Sequence, residues 1–90
     1  MIFVNNILNF FNLENLWEIR WAHGVNSKKV LEKVCSSDVM MIEGDIQSDL
    51  SGNIIMAHPP KKISDITFFE WIDQIISYKK GAKIDFKDKS

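Results

Sequence analysis

A single cysteine, Cys35, stands in a chain of 90 residues, so no disulfide can form within it and no thiolate cluster can hold a metal. Its neighbours Val30, Leu31 and Val34 make it read as a small buried hydrophobe rather than a nucleophile. Proline and glycine are also scarce, at two and four. With 46% hydrophobic and 11% aromatic residues, this excludes a linker or a disordered tail and leaves room for one small domain. Charge of one sign is missing as well. Eleven basic residues against twelve acidic give a net charge of -1, without the field expected of a nucleic-acid binder or of a protein held to an anionic membrane.

There is no long apolar run. The opening MIFVNNILNFFNLENLW is interrupted by asparagines and is too short and too polar to span a bilayer. It lacks the basic leader and small-residue cleavage site of a secretory signal, so it reads as mature chain, which by sequence points to the cytoplasm. Phe3, Ile7, Phe10 and Phe11 recur at helical spacing, and an amphipathic leader helix is expected over residues 1–17.

From residue 18 to 90, strand-like and helix-like segments alternate. Glu18 to His23 reads as a first strand. Ser27 to Ser36 reads as a helix with Asn26 or Ser27 as cap and Val30, Leu31 and Val34 on one face. Val39 to Asp45 is a near-continuous apolar run that suits a buried parallel strand. The polar loop QSDLSGN follows, then a short extended segment at Asn53 to Ala57, closed by Pro59-Pro60. Thr67 to Lys80 carries Phe68, Trp71, Ile72, Ile75 and Ile76 at helical spacing, with Asp65 or Thr67 as cap and Gly81 as stop. Ala82 to Lys87 is the last strand. Strands separated by helices predict an α/β fold of parallel β-α units.

Strand side chains alternate between faces. That puts Lys83, Asp85 and Lys87 opposite Ala82, Ile84 and Phe86, puts Glu43 with Asp45, and puts Trp21 with His23. Polar residues facing inward at the carboxyl ends of strands are what the active site of a (β/α) barrel requires.

The blocks WAHGVNSKKVLE, MIEGD, IIMAHPP, SDITFFEW and GAKIDFK resemble, in order and spacing, the signature blocks of the menorin family. The likeness runs from about Trp21 to Lys87. Gly24 and Gly44 depart from it, standing where the family commonly has alanine. The family in turn resembles glycerophosphodiester phosphodiesterases and spider-venom phospholipase D enzymes, which share a barrel with a divalent metal and two histidines.

The resemblance implies an incomplete TIM-type barrel: the first three units of a domain that takes about 250 residues when complete. It implies a divalent metal on Glu43, Asp45 and Asp85, with Mg²⁺ first and Ca²⁺ as the alternative. It also implies acid/base roles for His23 and His58, with Lys87 neutralising a phosphate oxygen. Asn26, Lys83 and Trp21 would lie along a phosphodiester substrate, either a small molecule or a lipid headgroup. Three carboxylates do make a hard, oxygen-rich donor set. By family likeness the extracellular space is the other compartment open to the protein.

Each residue also has a plainer explanation. A lone histidine is more often packed or solvated than catalytic. Glu43 and Asp45 could be a solvated strand end, and Asp85 with Lys83 and Lys87 a mutual ion-pair cluster. Trp71 is expected in the core, and Trp21 in the core or a pocket wall. The alternative to a phosphodiesterase-like function is a binding or signalling module, or an inactive truncated product. The 90-residue chain alone is not expected to catalyse.

Overall fold

The computed structural model describes residues 20–87. The expected leader helix and the first two residues of the expected first strand lie outside them. Among the described residues the chain forms a mixed α/β domain, a four-stranded sheet with two helices.

The chain enters through β1 (Trp21–Ala22) and passes a short loop to α1 (Lys28–Cys35). Ser27 caps α1, its hydroxyl accepting from the Val30 amide at 3.3 Å. Leu31 and Cys35 are buried and Val34 is half-buried, one turn apart on the core face. Val30 does not share that face. It is exposed, because a step of one residue before Leu31 turns the side chain about 100° around the helix axis.

The second strand, β2 (Met41–Ser48), runs three residues beyond the expected end at Asp45. The reason is pairing: Ile46, Gln47 and Ser48 lie antiparallel to Met56, Ile55 and Ile54 of β3 (Ile54–Met56). The start of the expected polar loop is thus ladder, and the turn itself is Asp49–Asn53, closed by the Asn53 carbonyl accepting from the Asp49 amide at 2.8 Å.

Helix α2 (Phe68–Ser77) opens on a capping box: the Thr67 hydroxyl accepts from the Glu70 amide at 3.2 Å, and the Glu70 carboxylate accepts from the Thr67 amide at 3.0 Å. This satisfies two of the amides that every helix start leaves unpaired. The helix ends three residues earlier than expected, and Gly81 is not its stop. Lys79 takes the left-handed conformation, φ 57°, while the Lys80 amide donates to Ile75 and the Lys79 amide to Ile76. That is the paired closure usually built on glycine. Gly81 instead begins β4 (Gly81–Phe86).

β2 is the centre of the sheet. Ile42 pairs with Ala22 of β1 and with Ala82 of β4, both parallel, and Ile46 pairs with Met56 and Phe86. One residue cannot pair twice on the same edge, so β1 and β3 occupy one edge of β2 in succession and β4 occupies the other. The parallel strands on either side of β2 are the ones that precede and follow it among the expected β-α units.

The two helices cover one face. Ile42 and Ile46 point into it, against Leu31 and Cys35 of α1, Trp71 and Ile75 of α2, and Met56. Each such side chain contributes about 1.5–3 kcal/mol on burial. Ile76, expected on the same helix face as Ile75, is exposed. Trp71 is fully buried and anchors by its polar edge, the indole N–H donating to the Val25 carbonyl at 2.8 Å. Gly44 is the floor beneath it: a Cβ there would stand 2.8 Å from the indole ring of Trp71 and 2.5 Å from the Met56 methyl.

Candidate functional site

The face of the sheet turned away from the helices collects the polar residues, by alternation alone. Ile42, Gly44 and Ile46 face the helices, so Glu43, Asp45 and Gln47 face the other way. Ala82 and Ile84 pack on the core, so Lys83, Asp85 and Lys87 share that second face. The register sets Glu43 beside Lys83 and Asp45 beside Asp85. Because β2 continues to Ser48, Asp45 is not at the strand's end. It lies on the last but one rung of the parallel pairing with β4, and Glu43, third of the eight residues of β2, is nearer the strand's start than the expected carboxyl end.

Asp45 is buried, and its partners are specific. The Asn26 side-chain amide donates to its carboxylate at 2.9 Å, and the Asn26 Oδ1 accepts from its backbone amide at 2.8 Å. The second contact fills a gap in the ladder. Beyond Ala22 the edge of β2 is carried by the Val25 amide, bonded to the Glu43 carbonyl at 2.9 Å. Farther on it is carried by the Ala57 amide, bonded to the Asp45 carbonyl at 2.9 Å. Between them no backbone acceptor among the described residues meets the Asp45 amide, and Asn26 supplies one. Asn26 is itself held, its carbonyl accepting from the Ser64 hydroxyl at 3.1 Å.

Lys87 is the cation of this face. Its ammonium lies 2.9 Å from Asp85 and 3.8 Å from Asp45. The hydrogen bond to Asp85 raises the lysine pKa above its usual value, assisted by the charges of Asp85, Asp45 and Glu43. Asp85 is lowered in turn, first by that hydrogen bond and then by the charges of Lys87, Lys83 and His58, against partial desolvation. All three candidate carboxylates therefore act on one positive charge.

The histidines follow different strands, His23 after β1 and His58 after β3. His23 is exposed, 3.9 Å from Glu43, and stacks on Trp21 with ring centroids 5.8 Å apart and planes 6° from parallel. Trp21 is thus a partly exposed ledge and not core. Glu43 is occupied by the Gly24 amide, which donates to it at 2.9 Å from a left-handed glycine, φ 65°. His58 is exposed on the turn after β3, its Nδ1 2.7 Å from the Pro59 carbonyl. A carbonyl only accepts, so Nδ1 carries the hydrogen in that contact and Nε2 keeps the free lone pair. An open cavity of about 530 Å³ beside this turn is lined by Asn26, Val30, Met56, His58, Lys61 and Ile63 among others. Glu43, Asp45 and Asp85 are not part of its wall.

One polar residue of this face was not singled out in the sequence. Gln47 is buried, its amide donating to the Ala57 carbonyl at 3.1 Å and to the Lys61 carbonyl. The same period of two that groups Glu43 with Asp45 places Gln47 next in line, but the segment QSDLSGN reads as loop, where phase has no meaning.

A divalent cation fits these residues in donor chemistry. Lys87 is a positive charge already held by the same carboxylates. Among the described residues, however, no three His, Cys, Asp or Glu side chains converge as a metal-holding group. Among them, too, no helix is long and apolar enough to cross a membrane.

Comparison with known proteins bears on the same stretch of chain. Residues 15–90 match the model of the menorin N-terminal domain. The human protein FAM151B is 37% identical over 91% of this chain. The chain spans 33% of that relative's length. No solved structure matches. The matched domain covers both helices, all four strands of the described residues and the polar face of the sheet, and the chain belongs to the menorin family.

Proposed function

We propose that this chain supplies the amino-terminal part of a (β/α) barrel whose inner face binds a phosphodiester with the help of a divalent cation, Mg²⁺ in the first place, and cleaves it. The observation that supports the reading is the shared face. Glu43, Asp45 and Asp85 lie together on adjacent parallel strands, with Asp45 and Asp85 in register. The strand order also fits the start of a barrel, since the parallel neighbours of β2 are β1 and β4.

Glu43, Asp45 and Asp85 would hold the cation. When bound it supplies positive charge for phosphoryl oxygens. Lys87, the present counter-charge of Asp85 and Asp45, can turn to a phosphate oxygen as these carboxylates are taken up. His58 presents Nε2 as a base or, once protonated, as an acid, and His23 at the end of β1 takes the complementary role. Trp21 offers an apolar ledge beside His23, and Lys83 adds charge at the rim. Substrate identity would then be read by the rest of the barrel together with the cavity beside His58.

Titration calorimetry of Mg²⁺ into the full-length protein tests the reading. Saturable binding is expected, weakened by at least about tenfold in Asp85→Asn, and equal binding by both would sink it. Replacing His23 or His58 by alanine is expected to lower phosphodiester turnover about 10²-fold. Cation binding without turnover would favour a binding or signalling module on the same face.

A further inference from the structure

We infer that Gln47 is a positioning residue: it fixes the turn that carries His58, and through that turn decides which imidazole nitrogen holds the hydrogen. The functional weight of this rests on the acid/base reading of His58, but the geometry does not.

The turn is short and closed at both ends by one side chain. The Lys61 amide donates to the His58 carbonyl at 3.1 Å, which brackets Pro59 and Pro60. The Gln47 amide donates to Ala57 just before this turn and to Lys61 at its end. A carboxamide has two N–H donors, and both are used here on acceptors that cannot donate in return. The side chain therefore has only one sensible orientation. Flipping it would aim its oxygen at two carbonyl oxygens.

That orientation leaves Oε1 buried with no hydrogen-bond partner among the described residues. An unmet buried acceptor is destabilising, so the glutamine is disfavoured by its own oxygen and held by what its nitrogen does. A leucine would fill the space without that cost. Its presence on the polar face, one step of the strand period beyond Asp45, puts the function of the nitrogen in the turn.

The consequence reaches His58 through Pro59. With the ends of the turn held, the Pro59 carbonyl stays 2.7 Å from Nδ1 and keeps the hydrogen on that atom. Nε2 is then the nitrogen free to exchange a proton. Released from Gln47, the turn loses the side-chain tie that holds Ala57 and Lys61, and the ring is free to adopt the other tautomer.

The test is the ¹⁵N imidazole spectrum of the full-length protein at about pH 8, where an ordinary imidazole is neutral. Wild type is expected to show His58 as the Nδ1–H form. Gln47→Leu, folded by its amide spectrum, is expected to lose that predominance, while His23, in the loop after β1, serves as an unchanged control. A folded Gln47→Leu that keeps His58 in the Nδ1–H form overturns the inference. If Gln47→Leu does not fold, solvent exchange of the wild-type Gln47 side-chain amide decides. Exchange at least about tenfold slower than that of the Gln74 side chain supports the clamp, and equal exchange overturns it. Neither readout depends on Mg²⁺ binding or turnover, so failure of the site reading and failure of this inference are told apart.

Discussion

Asn26 holds Asp45 by both ends, donating to the carboxylate and accepting from the backbone amide of the same residue. One side chain thus completes the edge of the central strand and aims a buried acid. Asn26→Ala removes a hydrogen bond to a charged group and leaves a buried N–H without a partner, a loss of about 1–3 kcal/mol. Urea unfolding of the full-length protein reads it as a lower midpoint with an unchanged slope. A midpoint equal to wild type would show that water replaces Asn26 at no cost.

Gly44 is set by the Trp71 ring and the Met56 methyl above it. The methyl is the far end of a flexible chain and can swing away, but the indole is tied to Val25 and cannot move freely. Gly44→Ala is therefore expected to destabilise by about 1–3 kcal/mol, as overpacked cores do. Unchanged stability would mean that Trp71 already has room for the added methyl.

The Asp85–Lys87 pair gives a pH dependence with two edges. The Asp85 pKa lies below its ordinary 3.8, so its contribution is present above that value and is lost as pH falls through the folded pKa. The Lys87 pKa lies above its ordinary 10.5, so its contribution is present below that value and is lost as pH rises through the folded pKa. Lys87→Met should flatten both edges of the thermal stability profile relative to wild type. It should also raise the Asp85 pKa, which carboxyl-detected NMR would follow; an unmoved Asp85 would show that the 2.9 Å contact does not persist in solution.

Cys35 is buried, with its thiol pKa raised by that burial against a small opposing effect of Lys80. The nucleophile is the thiolate, so the folded protein should react slowly with a thiol reagent and quickly once urea unfolds it. Fast labelling without denaturant would show that α1 opens readily.

By itself, the sequence determined the local structure and the phase of each strand. Ser27, Thr67 and Glu70 cap their helices through bonds within one turn, and the alternation of Lys83, Asp85 and Lys87 with Ala82, Ile84 and Phe86 sorts polar from apolar wherever a strand forms. The family signature followed from residue order alone. Tertiary structure decided what depends on distant partners. β2 runs on to Ser48 because β3 folds back upon it, which no periodicity within QSDLSGN encodes. Lys79 ends α2 because the chain must turn there into β4, although the residue type favours no such conformation. Val30 and Ile76 are exposed because the sheet covers only part of each apolar stripe. In the site, spacing put Glu43, Asp45 and Asp85 on one face, but only the parallel register set Asp45 beside Asp85, and only the fold brought Asn26, 19 residues away, and Lys87 to that buried acid. Hydrogen bonds and ion pairs depend on direction and separation in space, and a sequence specifies these only after the strands have chosen their neighbours.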